Sequence, residues 1–153
     1  MVVLMLGVIG GCQPKEVAMD AAELTDFAER YTAAWCSQDP ASVASFFAVD
    51  GSLTINAGDP SVGNEAITEA ARGFMDAFPD MIVAMDGIEQ VGDRVVYRWT
   101  LTGTNAGPAG TGNSVRISGY EDWTIGADGL IVRSLGHFDE DDYCGICGAD
   151  GRA

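Results

Sequence analysis

Positive charge is what this chain most lacks. Seven arginines and one lysine stand against 23 acidic residues, for a formal charge of −15 over 153 residues. A surface of that sign repels phosphate backbones and anionic headgroups, which argues against nucleic-acid binding and against adsorption through a basic patch. Long apolar runs are also missing, since the longest, MVVLMLGVIGGC at the start, is too short for a spanning helix. Histidine occurs once, as His137, and cysteine four times, too few for a disulfide framework. What remains is 47% hydrophobic and 20% charged residues, a globular composition in a chain of single-domain length.

The apolar start has the length of a signal-peptide core. It closes on Ile9-Gly10-Gly11-Cys12, which resembles the bacterial lipobox, an aliphatic residue and two small ones before the cysteine that receives lipid. No lysine or arginine stands ahead of the run in this sequence, where signal peptides carry a basic leader, which is consistent with a start further upstream. The expected organisation is a lipoprotein signal peptide over 1–11, a tether over 12–19, a domain over 20–143 and a tail over 144–153. Lipidation at Cys12 would place the protein in a bacterial cell envelope, touching the membrane through that anchor alone; the alternative is a cytoplasmic location.

Along the domain, Leu24, Phe27, Ala28, Tyr31, Ala34 and Trp35 recur at helical spacing, and Asp20 with Glu23 forms a capping box. Pro40 opens a second, short helix ending near Ala48, and Ser52 to Asn56 reads as a short strand. Asn64 is expected to cap a third helix carrying Ile67, Ala70, Ala71, Phe74, Met75 and Phe78, which Pro79 stops. From Met81 the period becomes two, giving strands at Met81–Ile88, Arg94–Thr104, Val115–Ile125 and Leu130–Phe138. Gly92-Asp93 and Asp128-Gly129 mark hairpins, and 105–113 is a Gly-rich loop. Helices first and consecutive hairpins after make an α+β domain: a cone-shaped, curved antiparallel sheet with three helices packed on its concave side.

Tyr31-Thr32-Ala33-Ala34-Trp35, Asp39 and Phe46-Phe47-Ala48-Val49-Asp50 resemble the opening of the nuclear transport factor 2-like superfamily, a cystatin-like fold. Ala77-Phe78-Pro79-Asp80-Met81, Gly92 to Trp99, Gly103-Thr104, Gly119 and Asp128 to Val132 are similar to its SnoaL-like polyketide cyclase branch. The resemblance implies a curved sheet closed by three helices with an apolar pocket between; a homodimer through the sheet is a separate expectation. Relatives include cyclases, isomerases, hydrolases, dehydratases and non-catalytic proteins, so the pocket positions decide function.

Alternation puts Ile117, Gly119, Glu121 and Trp123 on one strand face. Glu121 and Trp123 fall where the cyclases place a hydrogen-bonding amide and a histidine. A carboxyl in an apolar pocket suits proton transfer; the alternatives are an ion pair with an arginine such as Arg98 or Arg116, or exposure to solvent. The cyclases' catalytic aspartate falls on Gly136, which cannot abstract a proton. His137 beside it, with Asp139 fixing its tautomer, would substitute only if a twist or bulge turned it inward; otherwise it is a structural residue. Tyr31 matches an oxyanion-hole tyrosine of the ketosteroid isomerases, or is a core aromatic. The isomerases' general base falls on Ile55, next to Asn56, and neither is a base.

Trp35, Phe46, Phe74, Phe78, Tyr97 and Trp99 are candidates for an aromatic cavity lining, with Trp123 beside them. Cys144-Gly145-Ile146-Cys147 is half a zinc ribbon without its second half, and Asp139 to Asp142 fail the calcium-loop pattern. No metal or organic cofactor is expected. The expectation is a domain that binds a small apolar molecule and, if catalytic, acts as a cyclase or isomerase: Glu121 as acid or base, His137 with Asp139 as second proton carrier, Tyr31 and Asn56 orienting an oxygen. The alternative is a non-catalytic binding or dimerisation domain.

Overall fold

A computed structural model of the chain describes residues 19–142. Helix α1 (Ala21–Cys36) starts at the expected capping box: Asp20 accepts from the Glu23 backbone N–H, and the Glu23 side chain accepts from the Asp20 N–H. Its apolar stripe, Leu24, Phe27, Ala28, Tyr31, Ala34 and Trp35, is buried. Replacing Asp20 with alanine removes the cap and should cost about 1 kcal/mol, seen as a small fall in thermal midpoint with the folded spectrum unchanged.

Helix α2 (Pro40–Ala44) begins at Pro40 as expected but stops earlier, because the chain turns at Ser45-Phe46 into strand β1 (Phe47–Ile55). β1 is therefore nearly twice as long as the Ser52–Asn56 reading. The two-residue strand β2 (Ser61–Val62) had no readable pattern and pairs antiparallel with β1. Helix α3 (Gly63–Ala77) is not capped by Asn64. Its N-cap is Val62, with no side-chain hydrogen bond, and Asn64 lies inside the first turn with its carbonyl accepting from the Thr68 hydroxyl.

The remaining strands are β3 (Ile82–Val91), β4 (Arg94–Thr104), β5 (Ser114–Ile125) and β6 (Ile131–Phe138). The six strands form one sheet in the order β2-β1-β6-β5-β4-β3. Hairpins make every pairing antiparallel except β1 with β6, which run parallel because no hairpin joins them. Asp80 ties the end of α3 to the end of β4, its carboxylate accepting from the Thr104 N–H at 2.7 Å and the Thr104 hydroxyl at 2.8 Å. These two bonds hold its pKa below the ordinary carboxyl value.

One face of the sheet carries Leu53, Val83, Val95, Tyr97, Leu101, Val115, Ile117 and Trp123, all buried with the apolar stripes of α1 and α3. Register fixes three rows across that face. Val95, Trp123, Ser134 and Leu53 form one; Tyr97, Glu121, Gly136 and Ile55 the next; Trp99, Gly119 and Phe138 the third. The middle row holds the single acid of the inner face of β5.

Candidate active site

Glu121 is 6% exposed, and three side chains donate to it. The Tyr31 hydroxyl reaches Oε1 at 3.2 Å and Oε2 at 3.0 Å, the Trp123 indole N–H reaches Oε2 at 2.8 Å, and the Ser134 hydroxyl reaches Oε2 at 2.6 Å. The geometry follows from local structure. Glu121 and Trp123 are two residues apart on one strand face, so the indole folds back onto the carboxyl. Ser134 is the register partner of Trp123 on β6. Tyr31 descends from α1 on the inner side of the helix.

All these donors are neutral, and neither Arg98 nor Arg116 takes part; both are exposed, their positions pointing to the outer face by alternation. The ion-pair alternative for Glu121 is thus not what the structure contains. No counter-ion faces it among the described residues, and burial pushes the Glu121 pKa above the ordinary carboxyl value, against the opposing pull of Ser134, Trp123 and Tyr31. Burial and the neighbouring carboxylate push the Tyr31 hydroxyl well above its usual value, which keeps it a donor. Tyr97 moves the same way, mainly through burial, and shares a 2.7 Å hydrogen bond with Thr32.

Aromatic rings fix the donors. Trp123 stacks on Tyr97 with centroids 4.8 Å apart and planes 15° from parallel. Tyr31 meets Trp123 edge-on at 5.0 Å and Tyr97 at 5.6 Å. Such contacts add about 0.5–1.5 kcal/mol each beyond area burial, and they leave the hydroxyl and the indole little freedom to swing away.

In front of the carboxyl lies a cavity of about 50 Å³, several times the ~10–15 Å³ that one water requires. Glu121 and Gly136 form part of its wall, with Trp35 from α1, Phe74 from α3, and Trp99 and Phe138 from the third row. The wall is almost wholly apolar. Among the described residues Oε2 takes three hydrogen bonds and Oε1 only the longer Tyr31 contact, so Oε1 keeps acceptor capacity. The Trp99 indole N–H, in another wall residue, is buried with no acceptor among the described residues.

The structure brings together Glu121, Trp35, Phe74 and Trp99 at the cavity, with Tyr31 and Trp123 directly behind the carboxyl. Phe46 and Phe78, also considered for the lining, belong to the core instead. His137 is not brought there. The β5–β6 register runs unbroken from Arg133 to Phe138, so with Gly136 facing inward His137 faces outward, its ring tilted 32° against Tyr120 at 4.9 Å. Asp139 is exposed, and its Oδ1 accepts from the Asp141 N–H rather than orienting His137. The twist or bulge that would turn His137 inward is absent there.

Asn56 is likewise outside the wall. It adopts a left-handed conformation (φ 50°), accepts from the Phe138 N–H at 3.0 Å, and donates to Glu140 at 3.3 Å, which clasps the ends of β1 and β6. Ser134 was missed by the sequence reading. Its signal was a serine at a core-facing strand position, where a polar side chain needs a partner. Cys12, Cys144 and Cys147 lie outside the described residues, and among the described residues no group of three or more His, Cys, Asp or Glu is placed to hold a metal.

A sequence profile described as the SnoaL-like domain matches residues 28–134. No curated protein matches. Among solved structures, TsrD from Streptomyces laurentii is 22% identical, with a TM-score of 0.73 over 86% of this chain and 99% of that one. A protein assigned to the SnoaL-like polyketide cyclases, from Jannaschia sp. CCS1, is 17% identical, with a TM-score of 0.68 over 86% of this chain and 99% of that one. A protein with a ketosteroid isomerase-like fold from Catenulispora acidiphila DSM 44928, in complex with trimethylamine, is 17% identical, with a TM-score of 0.71 over 80% of this chain and 92% of that one. At these identities the likeness establishes the fold.

Proposed function

The chain belongs to the SnoaL-like domain family, and from that premise we propose that it binds a small, largely apolar molecule in the cavity and moves a proton next to a carbonyl, as a cyclase or isomerase does. The observation that carries this reading is Glu121: a buried carboxyl with no counter-ion among the described residues, gripped from behind on Oε2 and left with acceptor capacity on Oε1 at the wall of an apolar cavity. A group with a raised pKa is matched to accepting and returning a proton near neutral pH. Locking Oε2 restricts the chemistry to one oxygen. Tyr31 and Trp123 then position the base and do not bind the ligand's oxygen. That task passes to the Trp99 N–H, a donor without an acceptor among the described residues. No step here requires a metal or organic cofactor.

A direct test is hydrogen–deuterium exchange at the carbon next to the carbonyl of small aromatic ketones such as acetophenone, followed by proton NMR in D₂O. Exchange above buffer background, abolished by blocking the cavity, supports proton transfer. Binding of the ketones with no exchange would reduce the protein to a non-catalytic binding domain. Lipidation at Cys12, supported by Ile9-Gly10-Gly11-Cys12, and pairing of two copies through the sheet's outer face complete the proposal. Mass spectrometry of the membrane fraction tests the first: an intact Met1 would sink it. Sedimentation tests the second.

A further inference from the structure

Glycines in strands weaken them, so each calls for a reason. For Gly51 and Gly119 the reason is contact. A Cβ on Gly51 would come within 2.8 Å of the Ile131 carbonyl, and one on Gly119 would run into the His137 carbonyl and the Trp99 ring. A Cβ on Gly103 would meet the Asp80 carboxylate at 3.2 Å, and Gly87 sits where the β3–β4 register slips; outside the strands, Gly63, Gly92, Gly112 and Gly129 have a positive φ. Gly136 has none of these excuses. Its φ is not positive, and an added Cβ would meet only the Thr54 carbonyl at 3.4 Å and the Glu121 Cγ at 3.8 Å, both ordinary contacts. The fold would accept a side chain there.

Such a side chain would have one place to go. Gly136 is the direct register partner of Glu121, faces the same side of the sheet, and forms part of the cavity wall. We infer that Gly136 is the specificity-determining position of the site: its bare backbone keeps open the part of the cavity beside Glu121, so that a ligand can lie against the carboxyl. The inference deepens the functional reading above and rests on it for the nature of the ligand. Its geometric core concerns space alone. A methyl group would narrow that part of the cavity, and an isopropyl group would fill it.

The test separates the two claims. Xenon uptake, followed by ¹²⁹Xe NMR, reports apolar cavity space without reference to any chemistry; acetophenone binding, followed by titration calorimetry, reports the ligand. Gly136→Ala and Gly136→Val are compared with wild type and with Gly73→Ala, a change on the exposed side of α3 where, apart from the local helix backbone, nothing lies within 4 Å of the added Cβ. The expected result is a thermal midpoint for Gly136→Ala equal to or above wild type, as when glycine gives way to alanine at a compatible site. Xenon uptake falls in Gly136→Ala and is lost in Gly136→Val, and acetophenone affinity falls at least tenfold in Gly136→Val, while Gly73→Ala leaves both unchanged. Undiminished xenon uptake in Gly136→Val overturns the inference, as does a midpoint for Gly136→Ala well below wild type, which would make the glycine a packing requirement. If xenon behaves as expected but wild type binds no ketone, the role of Gly136 in the cavity stands and the ketone reading fails.

Discussion

Replacing Glu121 with glutamine should lower the catalysed deuterium-exchange rate by about 10²–10⁴-fold, the usual worth of a positioned acid or base, with the fold preserved. Glutamine suits the site. Its oxygen can take the Oε2 position, where Tyr31, Trp123 and Ser134 donate, and its amide nitrogen the Oε1 position, where the rotatable Tyr31 hydroxyl at 3.2 Å is the one hydrogen-bond partner among the described residues. Retained ketone binding with lost exchange would assign the proton transfer to Glu121. Equal exchange in the variant would remove it.

The pH dependence follows from the direction of the shift. The Glu121 pKa is raised above its ordinary 4.5, principally by burial. Exchange by the basic form should therefore rise with pH through a midpoint above that value. Stability should run the other way. The folded chain keeps this proton over a pH window in which the unfolded chain has lost it, so the contribution is complete below the unfolded value and drains away as pH rises through the folded one. Glutamine cannot titrate. The variant should thus gain stability relative to wild type as pH rises, which parallel urea titrations at acid and mildly alkaline pH would reveal. A constant difference across that range would show that the carboxyl has no raised pKa.

The second large effect is expected at Trp123, which is fully buried, stacked on Tyr97, in edge contact with Tyr31 and Phe27, and hydrogen-bonded to Glu121. Trp123→Ala removes a large core side chain and should cost about 3–5 kcal/mol, a large share of the ~5–15 kcal/mol that holds a domain folded. Urea denaturation measures it, and a loss below about 1 kcal/mol would contradict the packing described. Trp123→Phe separates the two roles of the residue. The ring remains, while the donor to Oε2 is lost; because that bond favours the ionised carboxyl, the midpoint of the exchange–pH profile should move further upward. A purely structural tryptophan would leave that midpoint in place.

How much of this was legible beforehand differs by level. The capping box at Asp20 and Glu23, the apolar stripe of α1 and the hairpins at Gly92-Asp93 and Asp128-Gly129 were readable because each depends on residues a few positions apart. Strand alternation also placed Glu121 and Trp123 on one inner face, which the register bears out. The end of α2, the length of β1 and the existence of β2 were not readable. They depend on pairing with distant strands, and Ser61-Val62 has no pattern apart from its partner. Asn64 misled for a related reason: a good capping side chain says nothing when the preceding chain enters the helix from a paired strand.

The sequence by itself determined the class of fold and singled out Glu121, because charge patterning, period and turn chemistry are local properties of a chain. Only the tertiary structure decided what surrounds that carboxyl. Tyr31, Trp123 and Ser134 come from a helix and two strands, and their convergence on Oε2 depends on strand order and register. The same register turned His137 outward and left Asp139 in solvent, removing the second proton carrier that the linear order had suggested. A side chain's chemistry is written in its residue type, but its partners are set by packing between segments far apart in the chain.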